Sequence, residues 1–183
     1  MKKDTSQQFT EIIEQCQQVF VSKQKDYSTS WRIMRLPSIT DQIYIKANRI
    51  RSIQEKGNQK IEEGITPEFI GIVNYSIMAL IQIEKGVANS ADLSQEEAAK
   101  AFSAHLFAAR DLMMDKNHDY DEAWRNMRIS SLTDIILMKL LRIKQIENNQ
   151  GKTTVSEGLD ANYQDIINYA VFALIKIVLE NES

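Results

Sequence analysis

Lys25-Asp26-Tyr27-Ser28-Thr29-Ser30-Trp31-Arg32-Ile33-Met34-Arg35 falls, at a shift of 93 residues, on His118-Asp119-Tyr120-Asp121-Glu122-Ala123-Trp124-Arg125-Asn126-Met127-Arg128. Downstream, Ser38, Thr40, Asp41, Ile43, Lys46, Arg49, Ile50 and Ile53 meet Ser131, Thr133, Asp134, Ile136, Lys139, Arg142, Ile143 and Ile146 at the same shift. Between positions 26 and 53 roughly half of the residues are identical, far above chance at one fixed shift. One inserted residue later the match resumes, pairing Glu63-Gly64 with Glu157-Gly158, Asn74-Tyr75 with Asn168-Tyr169, and Ala79-Leu80-Ile81 with Ala173-Leu174-Ile175. The chain is a tandem duplication. Its period is too long for a solenoid of ~20–50-residue repeats. Each copy therefore reads as a small helical module, and the pair as packed about a pseudo-twofold axis, as the subunits of a homodimer would be.

Composition agrees with helices. Only 6 Gly and 2 Pro occur in 183 residues, leaving few turns for a many-stranded sandwich or barrel. A single Cys excludes a disulfide scaffold and a Cys-rich zinc module. The net charge is −3 with both signs interspersed, so no basic face favours direct binding of nucleic acid. The N-terminus is polar, and the most apolar run, 166–179, is broken by Asn168 and Lys176, short of the ~20 residues a bilayer requires. These features predict a cytoplasmic protein without a membrane partner, existing as a pseudo-dimeric monomer or as a homodimer.

The apolar spacing predicts an all-α bundle of two three-helix repeats, 1–86 and 94–183, joined at 87–93 and sharing a core. First helices are expected over 6–23 and 94–114. Phe9, Ile12, Ile13, Cys16, Val19 and Phe20 form the i, i+3, i+4, i+7 stripe of one, and Phe102, His105, Leu106, Ala109, Leu112 and Met113 that of the other. Ser94 with Glu97 reads as a capping box. A polar loop carrying Asp-Tyr and Trp-Arg should follow, then a second helix capped by Ser or Thr near 38–40 and 131–133. The third helices are expected over 67–84 and 161–180, with Pro67 in a first turn.

Helical spacing also places chemistry. Lys139 and Arg142, like Lys46 and Arg49, project two cations to one side of a helix. Asp165, Asn168, Tyr169 and Phe172 share a face of the last helix. One reading is a structural network inherited twice. The other is a site for a phosphorylated small molecule: Asp119, Glu157 and Asp165 hold Mg²⁺ through oxygen ligands and act as the catalytic set. Lys139 and Arg142 neutralise phosphate oxygens, Tyr120 and Trp124 stack on a base, and Arg125, Asn168 and Tyr169 complete the substrate contacts. Gly71 stands where the second copy has Asp165, which predicts that the second repeat is the working half.

At Asp-Tyr-x3-Trp-Arg, Lys-x2-Arg-Ile and Glu-x7-Asp-x2-Asn-Tyr, the chain resembles the nucleotide modification associated domain family, a former domain of unknown function, once per repeat. It is also similar, more distantly, to all-α MazG-like nucleoside triphosphate pyrophosphohydrolases. That likeness implies acidic helices around Mg²⁺ and cleavage between the α and β phosphates, with the metal orienting a water. Those enzymes usually carry Glu-x-x-Glu. Here Glu11-x-x-Glu14 is matched in the second copy by Ala104 and Phe107. The expected function is thus binding of a nucleotide or similar phosphate ester, with Mg²⁺-dependent hydrolysis as its catalytic form. The alternative is a non-enzymatic helical interaction or structural module.

Overall fold

The computed structural model describes residues 4–57, 64–152 and 157–182. Its six α-helices are α1 (Thr5–Tyr27), α2 (Leu36–Lys56), α3 (Ile65–Lys85), α4 (Gln95–Tyr120), α5 (Ile129–Asn148) and α6 (Leu159–Leu174), with no strand among the described residues. A π-helical segment, Ile175–Leu179, continues α6. The expected all-α bundle in two halves is what forms.

Local chemistry sets the helix starts. The Asp4 carboxylate accepts from Gln7 N at 2.8 Å, which caps α1. Ser94 and Glu97 bond reciprocally at 3.1 and 2.8 Å, making the expected capping box of α4. Two local expectations are corrected. The Asp-Tyr pair lies in no loop: α1 and α4 run on through Tyr27 and Tyr120 and stop at the left-handed residues Ser28 and Asp121. Trp-Arg then sits in short 3₁₀ turns, Ser30–Ile33 and Ala123–Asn126. Nor do Ser or Thr cap the second helices, which begin after Arg35 and Arg128 without a side-chain cap. Pro37 suits a first helical turn and draws the start upstream. Thr40 and Thr133 lie one turn further on and bond back to Leu36 O and Ile129 O at 3.1 and 3.2 Å.

The pseudo-twofold relation is visible where α1 packs on α4, α2 on α5 and α3 on α6, each helix against its own counterpart. Across α2 and α5 the contacts come in symmetric pairs. Arg51 meets Asp134 at 3.8 Å and Lys144 meets Asp41 at 3.6 Å. Gln54 donates to Thr133 at 3.1 Å, and Thr40 donates to Glu147 at 2.6 Å. One continuous apolar core spans both repeats. Phe20 of α1 stacks on Phe102 of α4 with centroids 4.0 Å apart, and Phe9 meets Phe172 edge-on at 6.1 Å. Burying an Ile or Phe of this kind stabilises by roughly 1.5–3 kcal/mol, and these contacts couple the two repeats. α3, and not the 166–179 run, is the described helix long and apolar enough to cross a membrane, and 61% of that stretch is buried against the bundle.

Candidate functional site

The second and third helices of repeat 2, with the end of its first, bring together part of the expected site. α5 sets Lys139 and Arg142 one turn apart, and α6 presents Asp165 from the facing helix. Lys139 donates to Asp165 Oδ2 at 2.9 Å, and Lys116, on the last turns of α4, donates to Oδ1 at 2.7 Å. Both oxygens of this nearly buried carboxylate thus rest on ammonium groups. Partial burial would lower the Lys116 ammonium, but the hydrogen bond and charge of Asp165, helped by Glu157 and Tyr169, hold it above the usual lysine range. Beside this trio opens a cavity of about 300 Å³ lined by Met138, Lys139, Arg142, Glu157 and Asn162. Asn162 donates to Gly158 O at 2.8 Å and closes the first turn of α6. Arg142, half-buried on the cavity wall, makes no ion pair among the described residues.

Other expected residues lie elsewhere or are already engaged. Asp119 is exposed on the last turn of α4, 3.5 Å from His118 Nδ1. It does not join Glu157 and Asp165: among the described residues no three His, Cys, Asp or Glu side chains are grouped to hold a metal. With both Asp165 oxygens on lysines, the predicted Mg²⁺ donor set does not fit this geometry. Trp124 is 5% exposed, stacked on Phe172 with centroids 4.4 Å apart and covered also by the Arg125 guanidinium, so it offers no face to a base. Arg125 is saturated by protein partners: Glu122 at 2.9 Å, Glu180 and Gln8 at 2.8 Å, and Thr5 at 2.7 Å. Asn168 is buried in α6. Tyr169 is half-buried, edge-on to Phe172. The side chain of Tyr120 lies outside the described residues, as does Glu63, the counterpart of Glu157. Cys16 is buried, which pushes its thiol up to about 12 and leaves it an inert core residue. His105, expected on the apolar stripe of α4, is partly exposed and bonds Glu84 at 2.6 Å.

Repeat 1 carries the same cations in a different electrostatic setting. Glu68 meets Arg49 at 3.0 Å and Lys46 at 3.5 Å. The Lys46 stem crosses Gly71 so closely that a Cβ there would lie 2.8 Å from Cε and 2.9 Å from Cδ. A side chain at Gly71 would therefore have to displace the Lys46 stem, and the acid of repeat 1 stands one turn earlier, at Glu68. Sequence reasoning missed Glu68 and Lys116. The signal for both was present: Lys116 falls on Lys23 at the first shift, and Glu68 falls on Asn162 once the inserted residue is allowed. A larger cavity, about 770 Å³, opens elsewhere between the ends of α2 and α5, against Ile53, Gln54, Ile65, Arg128 and Ile129, and contains none of the expected residues.

Fold and site define a class: an all-α, internally duplicated protein whose two halves share one core and whose second half carries an open cleft lined by Lys139, Arg142 and Glu157. Residues 23–83 and 116–177 match the nucleotide modification associated domain 1 family, one segment per repeat, and the chain belongs to that family. No curated protein and no solved structure matches it.

Proposed function

We propose that the cleft of repeat 2 binds a phosphorylated small molecule, a nucleotide or a nucleotide-like ester. One observation carries this reading: Arg142 lines a 300 Å³ cavity beside Lys139 with no acidic partner among the described residues, whereas its counterpart Arg49 is paired with Glu68. A guanidinium on a cavity wall without a counter-ion favours an anion from solution, and its planar fork matches two phosphate oxygens. Each such charge-assisted bond contributes ~1.5–3 kcal/mol. Met138 supplies an apolar wall of the same cavity, the kind of surface a base covers. The family's description, which associates the domain with nucleotide modification, supports the same class. Glu157 is the carboxylate of the expected catalytic set that lines the cavity. Asp119 lies exposed at the end of α4 and both Asp165 oxygens are held by lysines, so binding, and no metal-dependent step, follows from this arrangement.

Thermal shift with a panel of nucleotides, with and without Mg²⁺, tests it, followed by assays of phosphate and pyrophosphate release. At least one nucleotide should raise the melting temperature of the wild type, and Arg142→Ala should lose the response while melting normally in buffer. A wild type indifferent to every nucleotide would leave the helical interaction module as the better description.

A further inference from the structure

We propose that the Glu68 carboxylate occupies, in repeat 1, the place that the anionic head group of the ligand takes in repeat 2. The chain then holds one open anion site and one filled by its own side chain. This deepens the reading of the cleft given above and rests on it.

The alignment of the two copies pairs Lys46 with Lys139, Arg49 with Arg142, Glu68 with Asn162 and Gly71 with Asp165, on helices that pack as counterparts. In repeat 1, Glu68 lies 3.0 Å from Arg49 Nη1 and 3.5 Å from Lys46 Nζ, with its side chain 12% exposed. The equivalent corner of repeat 2 is lined by Arg142, Lys139, Met138 and the shorter Asn162, with the Glu157 carboxylate on the same wall, and there the cavity opens. Asn162 does not fill it, because its amide turns back to Gly158 O at 2.8 Å.

The acid has moved by one helical turn between the copies. In repeat 2 it sits at 165, where it holds Lys139 and Lys116, while Gly71 in repeat 1 leaves room for the Lys46 stem to lie across α3 toward Glu68. The displacement keeps the lysine neutralised in both copies and removes the partner of the arginine in one. Coulomb attraction at such distances is weakened by solvent but not abolished at a half-buried site. Arg142 is consequently the cation left to meet an external anion. The head group it takes has the reach of one carboxylate, as the terminal phosphate of a nucleotide or of another phosphate monoester does.

Isothermal titration with ATP, and competition by inorganic phosphate, test the assignment on the full chain. Wild type should bind one ATP. Asn162→Glu rebuilds the Glu68–Arg49 pair in repeat 2 and should weaken ATP by ~10-fold or more, the loss of one charge-assisted contact. Glu68→Asn should open the second site and raise the stoichiometry to two. In the double variant the single site should move to repeat 1 and become sensitive to Arg49→Ala. Circular dichroism and melting confirm that each variant is folded, and Glu68→Asn, which shortens an existing side chain, serves even if Asn162→Glu misfolds. If Arg142→Ala abolishes ATP binding while folded Asn162→Glu binds normally and Glu68→Asn gains nothing, the assignment of Glu68 fails and the cleft reading stands. If the wild type binds neither ATP nor phosphate, both fail.

Discussion

Repeat 1 and repeat 2 solve the same local problems with different residues, and the differences collect on the face formed by their second and third helices. Each 3₁₀ turn is tied to the third helix of its own repeat. In repeat 1 Gln82 donates to Arg32 O and Met34 O, both at 2.8 Å, while in repeat 2 the buried Lys176 donates to Arg125 O at 2.9 Å and pairs with Glu182 at 2.9 Å. The motif arginines act alike. Arg32 grips Asp92, Gln82 and Gly86 O, and Arg125 grips Glu122, Glu180, Thr5 and Gln8. These contacts survive chemical substitution in both copies because they hold the fold together. The acid near the paired cations changed position instead, which alters what a cleft attracts without altering the packing beneath it.

The largest effect is expected at the motif arginines. Arg32→Ala strands buried acceptors and should cost about 2–4 kcal/mol in urea unfolding; Arg125→Ala, whose side chain is 24% exposed, should cost less, about 1–3 kcal/mol. Both variants should unfold in a single transition, since the core is continuous across the repeats. Two separated transitions would show that segments 1–86 and 94–183 are independent domains.

Next in size is Asp165→Asn. As a metal ligand, Asp165 would be needed for Mg²⁺-dependent ligand stabilisation. As the counter-ion of Lys116 and Lys139, its neutralisation should cost about 1–3 kcal/mol and at the same time tighten nucleotide binding, because Lys139, which lines the cleft, loses its counter-ion and Lys116 beside it does too. Weaker ATP binding in this variant would restore the metal reading.

The duplication, the helices and the core stripe were legible because they depend on periodicity, which a chain displays directly. Phe9, Ile12 and Phe102 are buried as their spacing requires. The roles of polar residues were less legible, because recurrence does not distinguish a structural arginine from a binding one. Arg125 and Arg142 recur equally, yet one is enclosed by four partners and the other faces a cavity. Nor does sequence show that Asp165 faces lysines from two different helices. Gly71 was read as a missing acid, and its meaning appears only with the Lys46 stem lying across it.

The smallest expected effect tests the comparison at the symmetric polar pairs between α2 and α5. Gln54 bonds Thr133 in one, and Glu147, its counterpart, accepts from Thr40 in the other, where Tyr163 OH joins at 2.7 Å and repeat 1 has Phe69. Burial pushes the Glu147 carboxyl up; the Thr40 hydrogen bond opposes this, Asp41 adds to it, and Lys144 and Tyr163 oppose it again. An acid whose folded value lies above its unfolded one holds its proton more tightly when folded. Its stabilising effect is complete below the ordinary glutamate value and is lost as pH rises through the raised value. Glu147→Gln makes the two pairs alike and removes that loss: its amide donates to Thr40, whose hydroxyl still reaches Leu36 O. Relative to wild type, the variant should gain stability as pH climbs from the ordinary glutamate value toward neutrality, and then level off. Thermal melts of both proteins across that window read the difference directly, with every other titrating group common to the two. A difference that stays flat would mean that Glu147 titrates in the fold as it does in the unfolded chain, and that its burial sets the two polar pairs apart in position only, not in their response to pH.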